Sequence, residues 1–246
     1  MTGTAVVTGG GGGLGGAICR RLAADGFAVA VLEVDLPAAR AVCEAIESDN
    51  GVARAYQVDV RDVTRLDAVI ARAAEELGPI RGMVNNAAIF PSGPFLASTT
   101  EEYDDVMAVN QRAYFFGAQI AARHMRENGG GAIVNIGSIT QYGGWGEMAS
   151  YVAAKGAAHA LTRALATELG PCEIRVNCVA PGAFPTRAEG VHPDREAYTQ
   201  RILASQALKR RGTFEELAST VSFLLGPDSS FVTGHTLNVN GGWIMS

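Results

Sequence analysis

Short apolar runs alternate along this chain with longer segments of helical periodicity, and that alternation leaves few folds open. Thr4–Val7, Phe27–Leu32, Ala53–Val58, Met83-Val84, Ala132–Ile136, Ile174–Val179 and Thr236–Val239 read as strands. Helices are predicted at about Leu14–Ala24, Pro37–Ser48, Val63–Leu77, Glu101–Arg126, Ser150–Leu169 and Phe214–Leu225, with Thr99 or Thr100 capping the fourth. The strands read as buried and non-alternating, as strands covered on both faces are. Right-handed crossovers then predict an α/β, single-domain Rossmann-type doubly wound fold: a parallel sheet of about seven strands with helices on both faces. The irregular, charged stretch 183–211 is expected to form a lid over a site at the carboxyl ends of the strands.

Composition narrows the function classes. The 30 glycines among 246 residues have no fixed period, and 48% of the chain is hydrophobic, which excludes fibrous and disordered classes. A net charge of −5 disfavours nucleic acid as a partner, and the one basic cluster, Lys209-Arg210-Arg211, reads as a solvated helix end. Cys19, Cys43, Cys172 and Cys178 form no Cys-x-x-Cys pair and read as thiols of a reducing cytoplasm. No apolar run is long enough for a membrane span, and no signal peptide is expected ahead of Thr4, so a cytoplasmic location is expected. The charged fraction, 18%, is low, as in chains that hide surface in an oligomer.

Thr8-Gly9-Gly10-Gly11-Gly12-Gly13-Leu14-Gly15 follows the first strand and opens the first helix. Bare backbone there lets a pyrophosphate approach free N–H groups at the positive end of a helix. Gly9, Gly12, Gly13, Leu14 and Gly15 are therefore candidate dinucleotide contacts, although five consecutive glycines exceed what such a turn requires. Glu33, at the end of the second strand and 24 positions after Gly9, suits the ribose hydroxyls of NAD and would repel a 2′-phosphate. No basic residue lies in the loop or just after Glu33, so NAD(H) is favoured over NADP(H). Asp35 reads as the cap of the next helix.

Ser138, Tyr151 and Lys155, joined to Thr8–Gly15, Asn85-Asn86-Ala87-Ala88 and Pro181-Gly182, make the chain closely resemble the classical short-chain dehydrogenase/reductase family over nearly its whole length. The chemistry also follows from the residues. Tyr151 and Lys155 are four apart and share one helix face. A nearby ammonium is expected to lower the phenol's pKa from its usual value of about 10. Tyr151 then removes the hydroxyl proton during oxidation or donates it during reduction. Ser138, beyond the fifth strand, hydrogen-bonds the substrate oxygen. The resemblance further implies that Asn110 supports a proton relay through Lys155 and that Asp59-Val60 contact adenine. It also implies that Asn86 and Ala87 line the adenine-ribose side and that Pro181, Gly182 and Thr186 orient the nicotinamide carboxamide. Ala88 stands where the family motif ends in glycine. Similar chains are mostly homotetramers built through two long helices and the C-terminal strand.

Phe90, Thr140, Gln141, Tyr142, Trp145 and Phe184 are expected to wall the substrate pocket, which suits a small or medium secondary alcohol or ketone. Glu147 reads either as a polyol contact or as solvated. None of His124, His159, His192 and His235 has a zinc-ligand partner at useful spacing, so no metal is expected. His159 reads as packing or interface, and Trp243 as packing on a neighbouring subunit. The acidic run Glu101–Asp105 reads as a helix N-terminus. Three functions stay open: an NAD(H)-dependent alcohol/ketone oxidoreductase, a 3-oxoacyl-thioester (acyl-carrier-protein) reductase, and a non-catalytic NAD-binding sensor or scaffold. Glu33 speaks against the second, and the intact Ser138–Tyr151–Lys155 set against the third.

Overall fold

The computed structural model describes residues 3–186, 189–190 and 194–245. Its strands are β1 (Thr4–Thr8), β2 (Ala28–Glu33), β3 (Val52–Gln57), β4 (Ile80–Asn85), β5 (Gly131–Ile136), β6 (Ile174–Pro181) and β7 (Thr236–Val239). They form one parallel sheet in the order β3-β2-β1-β4-β5-β6-β7. The chain reverses direction across the sheet between β1 and β4, and a crevice opens at their carboxyl ends, where such folds bind ligands.

The inner strands β1, β2, β4, β5 and β6 bury both faces, whereas the edge strand β3 buries Ala53 and Tyr56 and exposes Val52, Arg54 and Gln57, so it alternates, contrary to expectation. Val6 and Val7 are adjacent and both fully buried, yet they belong to opposite cores. Val7 packs with Ile18 and Leu22 of α1 (Gly13–Ala24) and Leu217 and Val221 of α8 (Phe214–Leu225). Val6 packs with Leu66 and Ile70 of α3 (Val63–Leu77) and Ala118 and Met125 of α5 (Ala113–Glu127). The remaining helices are α2 (Leu36–Ser48), α4 (Thr100–Met107), α6 (Ala149–Leu169) and α7 (Arg195–Ser205). Asp35 caps α2, and Thr99 caps α4 in a capping box with Glu102, so the acidic run is a helix start.

Three expectations need correction. The fourth strand is longer than Met83-Val84: Ile80 pairs with Thr4, the register shifts past Arg81, and Gly82 pairs with Ala5 and Ala132. The long helix predicted over Glu101–Arg126 is interrupted by a π-helical turn at Ala108–Arg112. Such turns concentrate at functional positions, and this one carries Asn110. The cluster Lys209-Arg210-Arg211 is only partly solvated. Lys209 Nζ donates to the C-terminal carbonyls of α7, and Arg211 forms an ion pair with Glu189 in which both side chains are mostly buried. Of the lid expected over 183–211, residues 187, 188 and 191–193, His192 among them, lie outside the described residues. No helix among the described residues is long and apolar enough to cross a membrane.

Candidate active site

A cleft of about 1220 Å³ runs along the carboxyl ends of the strands. All the expected glycine-loop residues line it, together with Glu33, Asp59, Val60, Asn86, Ala87, Pro181, Gly182 and Thr186. At the loop, the geometry accounts for much of the glycine surplus. A Cβ on Gly15 would sit 2.0 Å from the Gly9 carbonyl oxygen, and one on Gly10 would meet Val31 Cγ1 at 2.9 Å. A Cβ on Gly11 would meet Glu33 Cγ at 2.8 Å. Gly11 is therefore bare so that Glu33 can fold onto the loop: the Gly11 N–H donates to Glu33 Oε2 at 3.1 Å, and the Val34 N–H to Oε1 at 2.8 Å. Beyond Gly12, by contrast, a Cβ would find open space. Asn86 Nδ2 ties the opposite wall to the loop by donating to the carbonyls of Thr8 and Gly9.

The other end of the cleft holds Ser138, Tyr151 and Lys155. Ser138 follows β5 and caps a 3₁₀ turn, its Oγ accepting from the Thr140 N–H at 3.1 Å. Tyr151 lies one turn before Lys155 on α6, and the Ser138 hydroxyl acts to lower its phenol pKa. Lys155 is 1% exposed, and its Nζ donates to the Ile136 carbonyl at 2.7 Å and to Tyr114 Oη at 2.9 Å. Burial holds its ammonium down at about 7, far below an ordinary lysine. Burial also pushes the Tyr151 phenol up to about 12, although the Ser138 hydroxyl opposes it. The lowered phenol pKa expected from the sequence is thus reversed. Lys155 Nζ is directed at Tyr114 and Ile136 and stands 5.6 Å from the Tyr151 ring centroid, so desolvation decides.

Phe90 lines the cleft and meets the Tyr151 ring edge-on at 4.7 Å, and Thr140, Trp145 and Phe184 line it as expected. Gln141 and Tyr142 do not. They turn toward α6, where Gln141 Nε2 lies 3.4 Å from His159 Nδ1 and the Tyr142 ring packs against the imidazole. A 3₁₀ turn at Ile139–Tyr142 causes this, since it cannot present successive residues to one side. Trp243 also lines the cleft, where it packs edge-on against Trp145, centroids 5.3 Å apart. Asn110 is fully buried and outside the cleft lining. Its Nδ2 donates to the Ile89 carbonyl at 2.8 Å and its Oδ1 accepts from the Ile89 N–H at 2.9 Å, so the side chain braces the segment carrying Phe90. Tyr114 escaped the sequence reading because it sits in an apolar helical run and looks like core; its one signal is its place four residues after Asn110.

The family model described as Enoyl-(Acyl carrier protein) reductase matches residues 9–244. The short-chain reductase protein NovJ of Streptomyces niveus is 39% identical, the match covering 97% of this chain and 92% of that protein. The 5-keto-D-gluconate 5-reductase of Escherichia coli K12 is 32% identical over 98% of this chain and 95% of its own. A dehydrogenase/reductase structure from Sinorhizobium meliloti 1021 superposes with a TM-score of 0.93 at 37% identity, covering 100% of this chain and 96% of that one. With its seven-stranded sheet, glycine loop and Ser138–Tyr151–Lys155 cluster, the chain belongs to the short-chain dehydrogenase/reductase family of oxidoreductases.

Proposed function

We propose that this oxidoreductase transfers hydride between NAD(H) and a small or medium secondary alcohol or its ketone, with Tyr151 as general acid and base. The observation that carries the reading is one cleft holding Glu33 on the Gly11 amide at one end and Ser138, Tyr151 and Lys155 together at the other. The residues fit a dinucleotide. The loop is bare where a pyrophosphate would lie, and Gly12 faces open space. The fixed Glu33 carboxylate accepts from ribose hydroxyls and repels a 2′-phosphate. Arg61, another cleft residue, is committed to Asp59 at 2.7 Å and Asp105 at 2.9 Å. Bound there, the nicotinamide supplies the hydride acceptor or donor.

The protein's own groups do the rest. Ser138 holds the substrate oxygen, Tyr151 carries its proton, and the walls of Phe90, Trp145 and Trp243 keep water from the reacting carbon. A phenol that stays protonated at neutral pH is ready to donate, which favours ketone reduction there. The carbohydrate-acid substrate in the name of the Escherichia coli relative makes polyols and hydroxy acids the first substrates to try.

The test is nucleotide absorbance with NAD and NADP against a panel of secondary alcohols, polyols and ketones. Turnover with NAD is expected, and Tyr151→Phe should lower kcat by roughly 10²–10⁴ while leaving nucleotide binding intact. Full turnover in that variant overturns the role of Tyr151, and a preference for NADP overturns the role of Glu33.

A further inference from the structure

Lys155 is buried on every side but the cleft, and what surrounds it is specific. Its ammonium has three N–H groups. One goes to the Ile136 carbonyl and one to Tyr114 Oη, which leaves one for the cleft that Lys155 lines. Tyr114 itself is 1% exposed, and its hydroxyl donates to the same Ile136 carbonyl at 3.2 Å. That bond uses the phenol's only proton and turns its lone pairs toward Nζ. The Tyr114 ring adds a second attraction, its centroid 4.8 Å from Nζ.

The tyrosine is held from behind. Asn85 Nδ2 donates to the Tyr114 carbonyl at 3.3 Å and to Asn135 Oδ1 at 2.9 Å, and Asn135 Nδ2 donates to Thr162 Oγ1 at 3.0 Å. This buried chain links β4, β5 and α6 to the start of α5, just past the π-helical turn.

We propose that Tyr114 is a positioning residue for Lys155: it fixes the ammonium against Ile136, aims the third N–H into the cleft and keeps the amine charged in a dry site. The proposal rests on the functional reading above for its catalytic consequence but not for its structural content. The titratable groups facing Lys155 are Tyr114 from α5, Tyr151 from its own helix and the Cys178 thiol from β6. Burial already pulls the amine toward neutrality. Loss of an accepting oxygen removes a bond that only the charged form makes fully, so the amine should lose its proton at lower pH.

The chain has two lysines, Lys155 and Lys209, so protein labelled with 13C at the lysine Cε gives two signals, and Lys155 can be titrated directly. Tyr114→Phe, which keeps the ring, is expected to move the Lys155 midpoint to lower pH by about one unit and leave Lys209 in place. Tyr114→Gln, which returns an oxygen acceptor, should bring it part of the way back. In the kinetic arm, the alkaline limb of the kcat profile should move in the same direction in Tyr114→Phe, with substrate KM little changed. An unmoved Lys155 midpoint in both variants overturns the proposal, as does a moved midpoint with an unmoved kcat profile. If the wild-type protein turns over no substrate, the functional reading fails while the Lys155 titration still decides what Tyr114 does.

Discussion

Replacing Lys155 with methionine should stabilise the folded chain while abolishing its chemistry. The ammonium is fully buried, and holding it at about 7 rather than near an ordinary 10.5 corresponds to roughly 5 kcal/mol against folding at acidic pH. Methionine fills a similar volume without charge. It strands little, because Tyr114 Oη and the Ile136 carbonyl remain bonded to each other. Allowing for the two hydrogen bonds lost, a gain of about 2–4 kcal/mol at pH 6 is expected. The pH dependence is the sharper test. Folded Lys155 loses its proton near 7 and the unfolded chain near 10.5, so between those values the unfolded state binds more protons. Wild-type stability attributable to Lys155 therefore rises with pH across that window, and the advantage of Lys155→Met shrinks. Urea unfolding of nucleotide-free protein, followed by the fluorescence of Trp145 and Trp243 from pH 6 to pH 10, measures both curves. A variant less stable than wild type at pH 6, or an advantage that does not change with pH, would refute the reasoning.

Three further substitutions address the glycine-loop end of the cleft. Glu33→Ser removes the carboxylate proposed to face the ribose 2′ position; repulsion of roughly 2–3 kcal/mol predicts a rise of about 30- to 150-fold in kcat/KM for NADP relative to NAD, measured with one substrate. Gly15→Ala places a methyl group 2.0 Å from the Gly9 oxygen and should cost about 2–4 kcal/mol, read as a fall in Tm of roughly 5–15 °C. Gly12→Ala, facing open space, should hold Tm within about 3 °C and still weaken NADH binding.

The Ser138–Tyr151–Lys155 cluster was legible in the sequence because its geometry is local. Tyr151 and Lys155 share a face by helical period alone, and Ser138 follows a strand whose apolar run ends one residue before Gly137. The glycine loop was legible for the same reason, lying between a strand and a helix start. Trp243 was not: it stands 98 positions from Trp145, and nothing local shows that β7 returns the chain to the cleft. Gln141 and Tyr142 were misplaced because the Ile139–Tyr142 turn follows neither strand nor α-helix period.

The sequence alone determined the parallel sheet, the order of its motifs and the residue types of the Ser138–Tyr151–Lys155 cluster, since each follows from hydrophobic period or a short spacing. Tertiary structure decided how those groups are charged and held. Glu33 lies on Gly11 because β2 ends beside the loop, and Lys155 loses its ordinary basicity because α5, α6, β5 and β6 close around it. A side chain's pKa depends on what desolvates it and what hydrogen-bonds it, and for Lys155 those neighbours are 19 and 41 positions away.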